Sequence, residues 1–302
     1  MVIKIVFSVF SLFLPFISLA APLKIVATTS DLAALVNKIS PEKNEVLAIG
    51  KGTQDPHHIE AKPSFIVKIR SADLLVVQGL ELETAWLESL IGGARNPKIA
   101  KSSRGYLELA PLLNPIEIPH GPVSRAEGDI HPGGNPHFQL DPIRIGMAGI
   151  LIAERLGELD SENKEFYLKN AISYQNLLKH KNKEWTDRVS KTRVKEIVTY
   201  HKTFAYFFDR YNLKNRFFIE PKPGIPPTAK HLQTVISAMK KDGIKLVFVE
   251  NYFDNEALKK IKEDYPASNG LSVPVSVGGA PNINSTEDLI EILVKSIETS
   301  AL

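Results

Sequence analysis

The stretch Gln54-Asp55-Pro56-His57-His58-Ile59-Glu60 is the point around which the chain is organised. It follows a strand-like run at 45–49, and a helical run with proline in its first turn begins at Pro63. The stretch is therefore predicted to be a loop at the carboxyl end of a strand. In parallel α/β sheets ligands bind beyond these strand ends, so the paired histidines lie where a site is expected.

Two later motifs strengthen this prediction. Asn135-Pro136-His137-Phe138-Gln139-Leu140-Asp141-Pro142 repeats the pattern of an Asx-Pro-His triplet, and His201 ends the strand-like run 196–200. Three histidines at loop or strand-end positions, far apart in sequence, predict a metal site at a junction between two lobes.

Strands and helices alternate twice along the chain, which predicts an α/β protein with two parallel sheets. Strands are predicted at 23–27, 45–49, 73–77, 106–109, 196–200, 216–219, 245–249 and 271–275. Helices are predicted at 31–39 with Ser30 as N-cap, and at 63–70, 83–91, 141–156, 202–211, 228–241, 255–264 and 285–299.

A long helix is predicted between the two α/β series. Residues 161–191 would form a rigid connector helix with a length of about 45 Å. The alternative is that this run forms two helices with an undetected break. The predicted organisation is an N-terminal lobe at 22–160, the connector at 161–191 and a C-terminal lobe at 192–302. Residues 114–136 are predicted to be a long loop, of the kind that usually serves a function.

The first 21 residues are typical of a cleavable signal peptide, with Lys4, an apolar run and a small-residue cleavage site. The alternative is a retained N-terminal anchor. The chain has no cysteine, which excludes disulfides, thiolate ligands and a lipid-anchored cysteine. Removing Lys4 lowers the formal charge from +3 to +2, which does not suggest nucleic acid as a partner. We expect a soluble, monomeric periplasmic protein.

Four side chains are candidate metal ligands: His57, His137, His201 and Glu250, the last at the end of a predicted strand. Imidazoles with one carboxylate suit Zn²⁺, whereas Mn²⁺ or Fe²⁺ would want more carboxylates. Glu250 has a second interpretation, as an acceptor that orients a ligand imidazole.

Three further residues are weaker candidates. His58 should point away from His57, because neighbours in an extended loop face opposite ways, so only one of the two is expected to ligate. His131 is a possible accessory ligand that helps to capture metal. Glu220, which ends another predicted strand, is a weaker alternative to Glu250.

The motifs together resemble the zinc- and manganese-binding solute receptors of bacterial ABC transporters, the cluster 9 or TroA-like family. The resemblance covers nearly all of the chain beyond the signal segment. It rests on Val26-Ala27-Thr28-Thr29, Asp55-Pro56-His57 with Pro63-Ser64, Ser71-Ala72-Asp73-Leu74-Leu75-Val76, Asn135 to Pro142, the helix from Asp160 to Tyr167, Tyr200-His201 before Phe204, Tyr206 and Phe207, and Phe248-Val249-Glu250. It implies His57, His137 and His201 as ligands, and a membrane permease of an ABC importer as the partner.

One departure from the family pattern concerns the fourth ligand. The resemblance implies an aspartate after the penultimate strand of the second lobe, but Val273 to Ala280 contains no acid. Glu250, another histidine, water or nothing would fill that position.

The sequence leaves three functions open. The first is a receptor that captures a divalent metal, with zinc favoured over manganese or iron, and delivers it to an inner-membrane importer. The second is a secreted zinc hydrolase, although the chain has no His-Glu-x-x-His motif. The third is a receptor or adhesin in which metal is structural or absent.

Overall fold

The computed structural model describes residues 21–121 and 128–301. The predicted signal peptide, apart from Ala21, lies outside these residues. Within the described ranges, no helix combines the length and the apolar character needed to cross a bilayer.

The N-terminal half is built on a four-stranded parallel sheet. Its strands are β1 (Lys24–Ala27), β2 (Glu45–Ala48), β3 (Leu74–Val77) and β4 (Tyr106–Glu108), in the order β2-β1-β3-β4. Its helices are α1 (Ser30–Ile39), α2 (Pro63–Arg70), α3 (Leu87–Ala94) and α4 (Pro142–Leu159). The strands are short and apolar, as expected for a sheet that is covered on both faces.

The C-terminal half carries a three-stranded parallel sheet. It consists of β5 (Val198–Thr199), β6 (Leu246–Glu250) and β7 (Asn269–Val273), in the order β5-β6-β7. Helix α5 (Lys164–Ser190) precedes the sheet, and α6 (Ala205–Tyr211), α7 (Ala229–Asp242), α8 (Glu256–Asp264) and α9 (Thr286–Ser300) surround it. The predicted α/β class with two parallel sheets is confirmed.

Helix α5 links the two halves as one unbroken helix. Its buried residues Tyr167, Tyr174 and Leu178 belong to the core of the N-terminal half, whereas Trp185 and Val189 belong to the core of the C-terminal half. The alternative of two helices is therefore wrong, because one continuous element packs on both cores.

Several predicted elements differ from the structure. The strand predicted at 216–219 forms only an isolated bridge to β5 at Phe218, because the backbone N–H of Phe217 donates to the Asn215 side chain instead of a neighbouring strand. Strand β7 ends at Val273, since Pro274 has no N–H to donate. The helix predicted from residue 83 begins only at Leu87.

The N-cap of α1 also differs from the prediction. Thr29, not Ser30, caps the helix by accepting a hydrogen bond from the N–H of Leu32 at 3.3 Å. The Ser30 hydroxyl instead donates to the carbonyl oxygen of Val277 in the other half, at 2.7 Å. The start of α1 is therefore also a contact between the halves.

Candidate metal centre

Three buried histidines meet where the two halves face each other. His57 lies in the loop after β2, His137 precedes α4, and His201 follows β5, and their side chains are almost fully buried. Each ring offers one nitrogen such that all three nitrogens lie within 4.8 Å of one another. The three histidines that the sequence singled out thus form one cluster.

Asp55 orients the ring of His57. Its carboxylate accepts the backbone N–H of His57 at 2.9 Å and contacts the ring Nδ1 at 2.8 Å. Burial acts to raise the pKa of Asp55, but the hydrogen bonds and charge of His57 outweigh it, so the pKa is lowered. With Nδ1 held by an ionised carboxylate, Nε2 is the nitrogen left for a metal. The motif Asp55-Pro56-His57 does not by itself predict this role of Asp55.

Glu220 orients the ring of His201 in the same way. Its carboxylate Oε1 lies 2.5 Å from Nδ1 of His201, and Oε2 accepts the N–H of Gly224 at 3.0 Å. Burial acts to lower the pKa of His201, but the hydrogen bond and charge of Glu220 raise it overall. The residue that sequence reasoning ranked below Glu250 therefore makes the direct contact with a candidate ligand.

The ring of His137 is held differently. Among the described residues, neither of its ring nitrogens has a hydrogen-bond partner, although the side chain is 1% exposed. Burial, followed by the neighbouring imidazoles, lowers the pKa of His137 well below its usual value. A neutral, unpaired and buried imidazole costs free energy unless something coordinates it. This ring is thus prepared to accept a metal.

Two more histidines lie beside the cluster at different depths. Nε2 of His131 is 3.3 Å from Nε2 of His57, which places the predicted accessory residue at the edge of the three-histidine group. Burial, then the charges of His57 and His201, lower the pKa of His131 to about 3. His58 points outward with an exposed side chain, 3.7 Å from Asp129. The expectation that the paired histidines face opposite ways is wrong, because residues 55–58 form a turn and the two ring centroids lie 6.2 Å apart, but only His57 is buried in the cluster.

Glu250 is not part of the histidine cluster. It is fully buried at the end of β6, and neither carboxylate oxygen has a hydrogen-bond partner among the described residues. The Thr203 hydroxyl lies nearby without forming a hydrogen bond of normal length. Burial raises the pKa of Glu250 to about 7, although the charge of His201 acts in the opposite direction.

The segment in which the family pattern expects an aspartate contacts the other half of the molecule. The N–H of Val277 donates to the carboxylate of Asp31 in α1 at 2.9 Å. A Cβ on Gly52 would lie 2.2 Å from the Val277 carbonyl oxygen, so the backbones approach too closely for any other residue. This segment ties the halves together beside the site.

The histidine cluster matches the donor set of a small tetrahedral ion. Zinc bonds imidazole nitrogen at about 2.0–2.1 Å, so a tetrahedral site needs nitrogens about 3.4 Å apart. The three ring nitrogens lie within 4.8 Å of one another, so any two of them would have to approach by at most about 1.4 Å to bind one such ion.

Comparison with known proteins identifies the family. The profile of ZnuA, described as zinc-uptake complex component A periplasmic, matches residues 25–300. The chain belongs to this family. ZnuA-family members are substrate-binding receptors of ABC transporters and not enzymes, so this chain is an extracytoplasmic metal-binding receptor rather than the secreted hydrolase considered above.

Curated relatives agree with this assignment. The metal ABC transporter substrate-binding lipoprotein ScbA of Streptococcus cristatus is 28% identical over 250 residues, covering 81% of this chain and 77% of the relative. The manganese ABC transporter substrate-binding lipoprotein PsaA of Streptococcus mitis is 28% identical over 247 residues, covering 80% and 76%.

Solved structures share the fold. The crystal structure of ZnuA superposes with a TM-score of 0.76 at 21% identity, covering 93% of this chain and all of the other. A mutant of the laminin-binding adhesin Lmb of Streptococcus agalactiae gives a TM-score of 0.75 at 22% identity, covering 91% and 99%. The two-lobed receptor fold predicted from the sequence is confirmed.

Proposed function

We propose that this receptor captures Zn²⁺ outside the inner membrane and delivers it to the membrane permease of an ABC importer. The observation that carries this proposal is the group of three buried imidazoles, His57, His137 and His201, with ring nitrogens within 4.8 Å of one another. Nitrogen-rich sets of this kind favour zinc, whereas manganese favours oxygen ligands. The description of the family also names zinc uptake.

Two carboxylates next to the ligands support the assignment to a divalent cation. Asp55 and Glu220 each hold Nδ1 of one ligand imidazole. They place two negative charges beside a site that would receive two positive ones, without occupying a coordination position. Partners of this kind raise the basicity of the imidazole and fix its tautomer.

The fourth coordination position has a nearby candidate in His131. It is the histidine adjacent to the cluster, 3.3 Å from His57, and burial keeps it neutral at physiological pH. In this proposal His131 or water completes the coordination. Glu250 lies outside the coordination sphere in this proposal, and its direct coordination of the metal, which the sequence suggested, remains the alternative.

The rest of the proposal concerns the setting of the receptor. Residues 1–21 act as a signal peptide that is cleaved after export, and the protein works as a monomer in the periplasm, with domain boundaries at 22–160, 161–191 and 192–302. A manganese or iron receptor is the alternative, because relatives such as PsaA are named for manganese.

The adjacent histidines of the first motif provide a matched test. His57→Ala removes a buried member of the cluster, whereas His58→Ala removes its exposed neighbour. We expect zinc affinity, measured by competition with a chromophoric chelator, to fall at least about 100-fold in His57→Ala and to change less than about threefold in His58→Ala. Equal effects of the two substitutions would contradict the proposed site.

A further inference from the structure

The two Asx-Pro-His triplets form the same local turn. In the first, the Asp55 carboxylate accepts the backbone N–H of His57, and in the second, the Asn135 side-chain oxygen accepts the backbone N–H of His137, both at 2.9 Å. This turn, in which an Asx side chain bonds the backbone two residues on, fixes where the histidine leaves the chain. The repeat in the sequence thus has a structural cause.

The two triplets differ in what else the Asx side chain does. Asp55 also contacts the ring of its histidine, but Asn135 uses its amide group to reach the other half of the protein. The amide Nδ2 of Asn135 donates to the backbone oxygen of Lys202 at 2.9 Å, and to Glu117 at 3.1 Å. Lys202 directly follows His201, so one buried side chain joins the backbones of two ligand segments.

Further hydrogen bonds make Asn135 a fixed point. Its N–H donates to the oxygen of Ile116 at 2.8 Å, and its carbonyl oxygen accepts the hydroxyl of Tyr206, in α6 of the C-terminal half, at 2.6 Å. Asn135 is 5% exposed, and both ends of its amide are used. A residue bonded in this way has little freedom to shift.

His137 depends on this arrangement more than the other two ligands. The rings of His57 and His201 are aimed by carboxylates, whereas the ring of His137 has no hydrogen-bond partner among the described residues. The position of the His137 ring relative to His201 is therefore set mainly through the backbone, and the Asn135 side chain connects the backbones of these two segments.

We infer that Asn135 is a positioning residue that sets the separation of His137 and His201 and thereby the preference of the site for a small tetrahedral cation. The inference rests on the proposed zinc-binding function. A fixed, short separation suits zinc–imidazole bonds of about 2.0–2.1 Å. If the separation of His137 and His201 becomes variable, the site should favour ions that accept longer bonds and more ligands.

Asn135→Asp isolates the connection between the halves. The aspartate keeps the oxygen that accepts the N–H of His137, but it has no amide to donate to Lys202 or Glu117. We expect the ratio of zinc to manganese affinity to fall about tenfold or more, within the range for partners outside the coordination sphere. With Co²⁺ as a spectroscopic probe, the absorption bands of four-coordinate cobalt should weaken.

Three further variants separate this role from charge repulsion and from simple destabilisation. In Asn135→Asp with Glu117→Gln, the repulsion between the two acids is removed but the bond to Lys202 stays broken, so the altered ratio should persist. Asn135→Ser keeps a short acceptor and should act like Asn135→Asp. Tyr174→Phe removes a hydrogen bond to Glu287 of α9, away from the ligand segments, and should lower thermal stability while leaving the ratio and the cobalt spectrum unchanged.

The outcomes distinguish this inference from the proposed function. If the unmodified receptor binds no zinc, the proposed function fails. If it binds zinc, but the Asn135 variants keep its metal ratio and cobalt spectrum, or Glu117→Gln restores both, the positioning role of Asn135 is wrong and the zinc site stands. The thermal unfolding of each metal-free variant is measured separately. Only variants that show a folded state are compared for metal binding.

Discussion

Two of the three clustered histidine rings are oriented by carboxylates, and a third carboxylate is buried without a hydrogen-bond partner in the described part of the chain. Glu220 contacts Nδ1 of His201, whereas Glu250 has no hydrogen bond among the described residues. Burial raises the pKa of Glu250 to about 7, so a neutral form is readily populated near neutral pH. The two acids should therefore respond differently to the loss of charge.

Glu220→Gln and Glu250→Gln test this difference with the same chemical change. We expect Glu220→Gln to lower zinc affinity about 10- to 100-fold, because the imidazole of His201 loses its carboxylate partner. Glu250→Gln should lower it less than about threefold, since it replaces a partly neutral group by a neutral one. Isothermal titration with a competing chelator measures both. If Glu250 coordinates the metal, the order of the two effects will be reversed.

At this scale the sequence predicts which histidines meet better than it predicts their carboxylate partners. His57, His137 and His201 could be predicted because they stand at the ends of strands or before helices, and such positions converge between the sheets of a two-lobed fold. The choice between Glu220 and Glu250 could not be predicted, since both follow apolar runs. It depends on the path of the turn at 221–224, where the N–H of Gly224 holds the Glu220 carboxylate.

At the scale of elements, the N-terminal end of α1 and the segment after β7 form a buried contact between the halves. Asp31 accepts the N–H of Val277, and the Ser30 hydroxyl donates to the Val277 oxygen. Burial raises the pKa of Asp31 to about 6 from 3.8, although the hydrogen bonds of the group act to lower it. The unfolded chain therefore loses this proton at lower pH than the folded protein does.

Asp31→Asn should change the pH dependence of stability. Because the pKa of Asp31 is higher in the folded state, the free energy of unfolding falls as pH rises from about 4 to about 6. Asparagine does not ionise, so Asp31→Asn lacks this loss of stability. Between pH 3.5 and pH 7, its free energy of unfolding should therefore rise by about 1–3 kcal/mol relative to that of the unmodified protein. Urea denaturation of the metal-free proteins at both pH values measures the difference.

Asp73→Asn is the matched control for Asp31→Asn. Burial acts to raise the pKa of Asp73, but the hydrogen bond and charge of Lys98 outweigh it and lower the pKa. The effect of Asp73 on the pH dependence of stability is therefore opposite to that of Asp31. As pH rises, Asp73→Asn should lose stability relative to the unmodified protein. If both variants, or neither, gained stability relative to the unmodified protein as pH rises, the predicted cost of ionising the buried Asp31 would be contradicted.

The contact between α1 and the segment after β7 was not predictable from the sequence. Ser30 matches the N-cap preference of helices, and Thr29 matches it too, so the pattern cannot show which hydroxyl caps and which reaches Val277. The strand predicted at 216–219 was lost for a similar reason, because the Asn215 side chain competes for a backbone N–H. Local side-chain hydrogen bonds of this kind depend on tertiary geometry.

At the scale of the whole molecule, α5 limits how the two halves move. Its residue Tyr174 donates to Glu287 of α9 at 2.6 Å, and Lys38 of α1 lies 3.7 Å from the same carboxylate. Farther along the helix, Trp185 and Arg188 bond Glu291. Bending this helix would break consecutive backbone hydrogen bonds as well as these contacts.

We therefore expect metal binding to leave the arrangement of the halves nearly unchanged. The radius of gyration from X-ray scattering should differ by less than about 1 Å between the metal-free and zinc-loaded protein, since the helix α5, rather than a hinge of extended strands, connects the halves. A compaction of several ångströms on zinc binding would contradict the rigid-connector account. The matched comparison is the His57→Ala variant, whose scattering should not respond to zinc at low concentration.

The connector was predictable because its length and its helical pattern are properties of the local sequence. Which side of α5 is buried was less clear, since the apolar residues Ile172 and Leu177 are exposed while Tyr167, Tyr174 and Trp185 are buried. Aromatic side chains with polar ends satisfy both the core and a carboxylate of the neighbouring helix. Such pairings become visible only once the halves are in place.

Equilibrium dialysis of the metal-free receptor against equimolar Zn²⁺ and Mn²⁺, followed by elemental analysis, tests the central claim most directly. Three imidazoles, two of them held by carboxylates, should retain one zinc ion per chain and almost no manganese. Retention of manganese in preference to zinc, or of neither metal, would contradict the account.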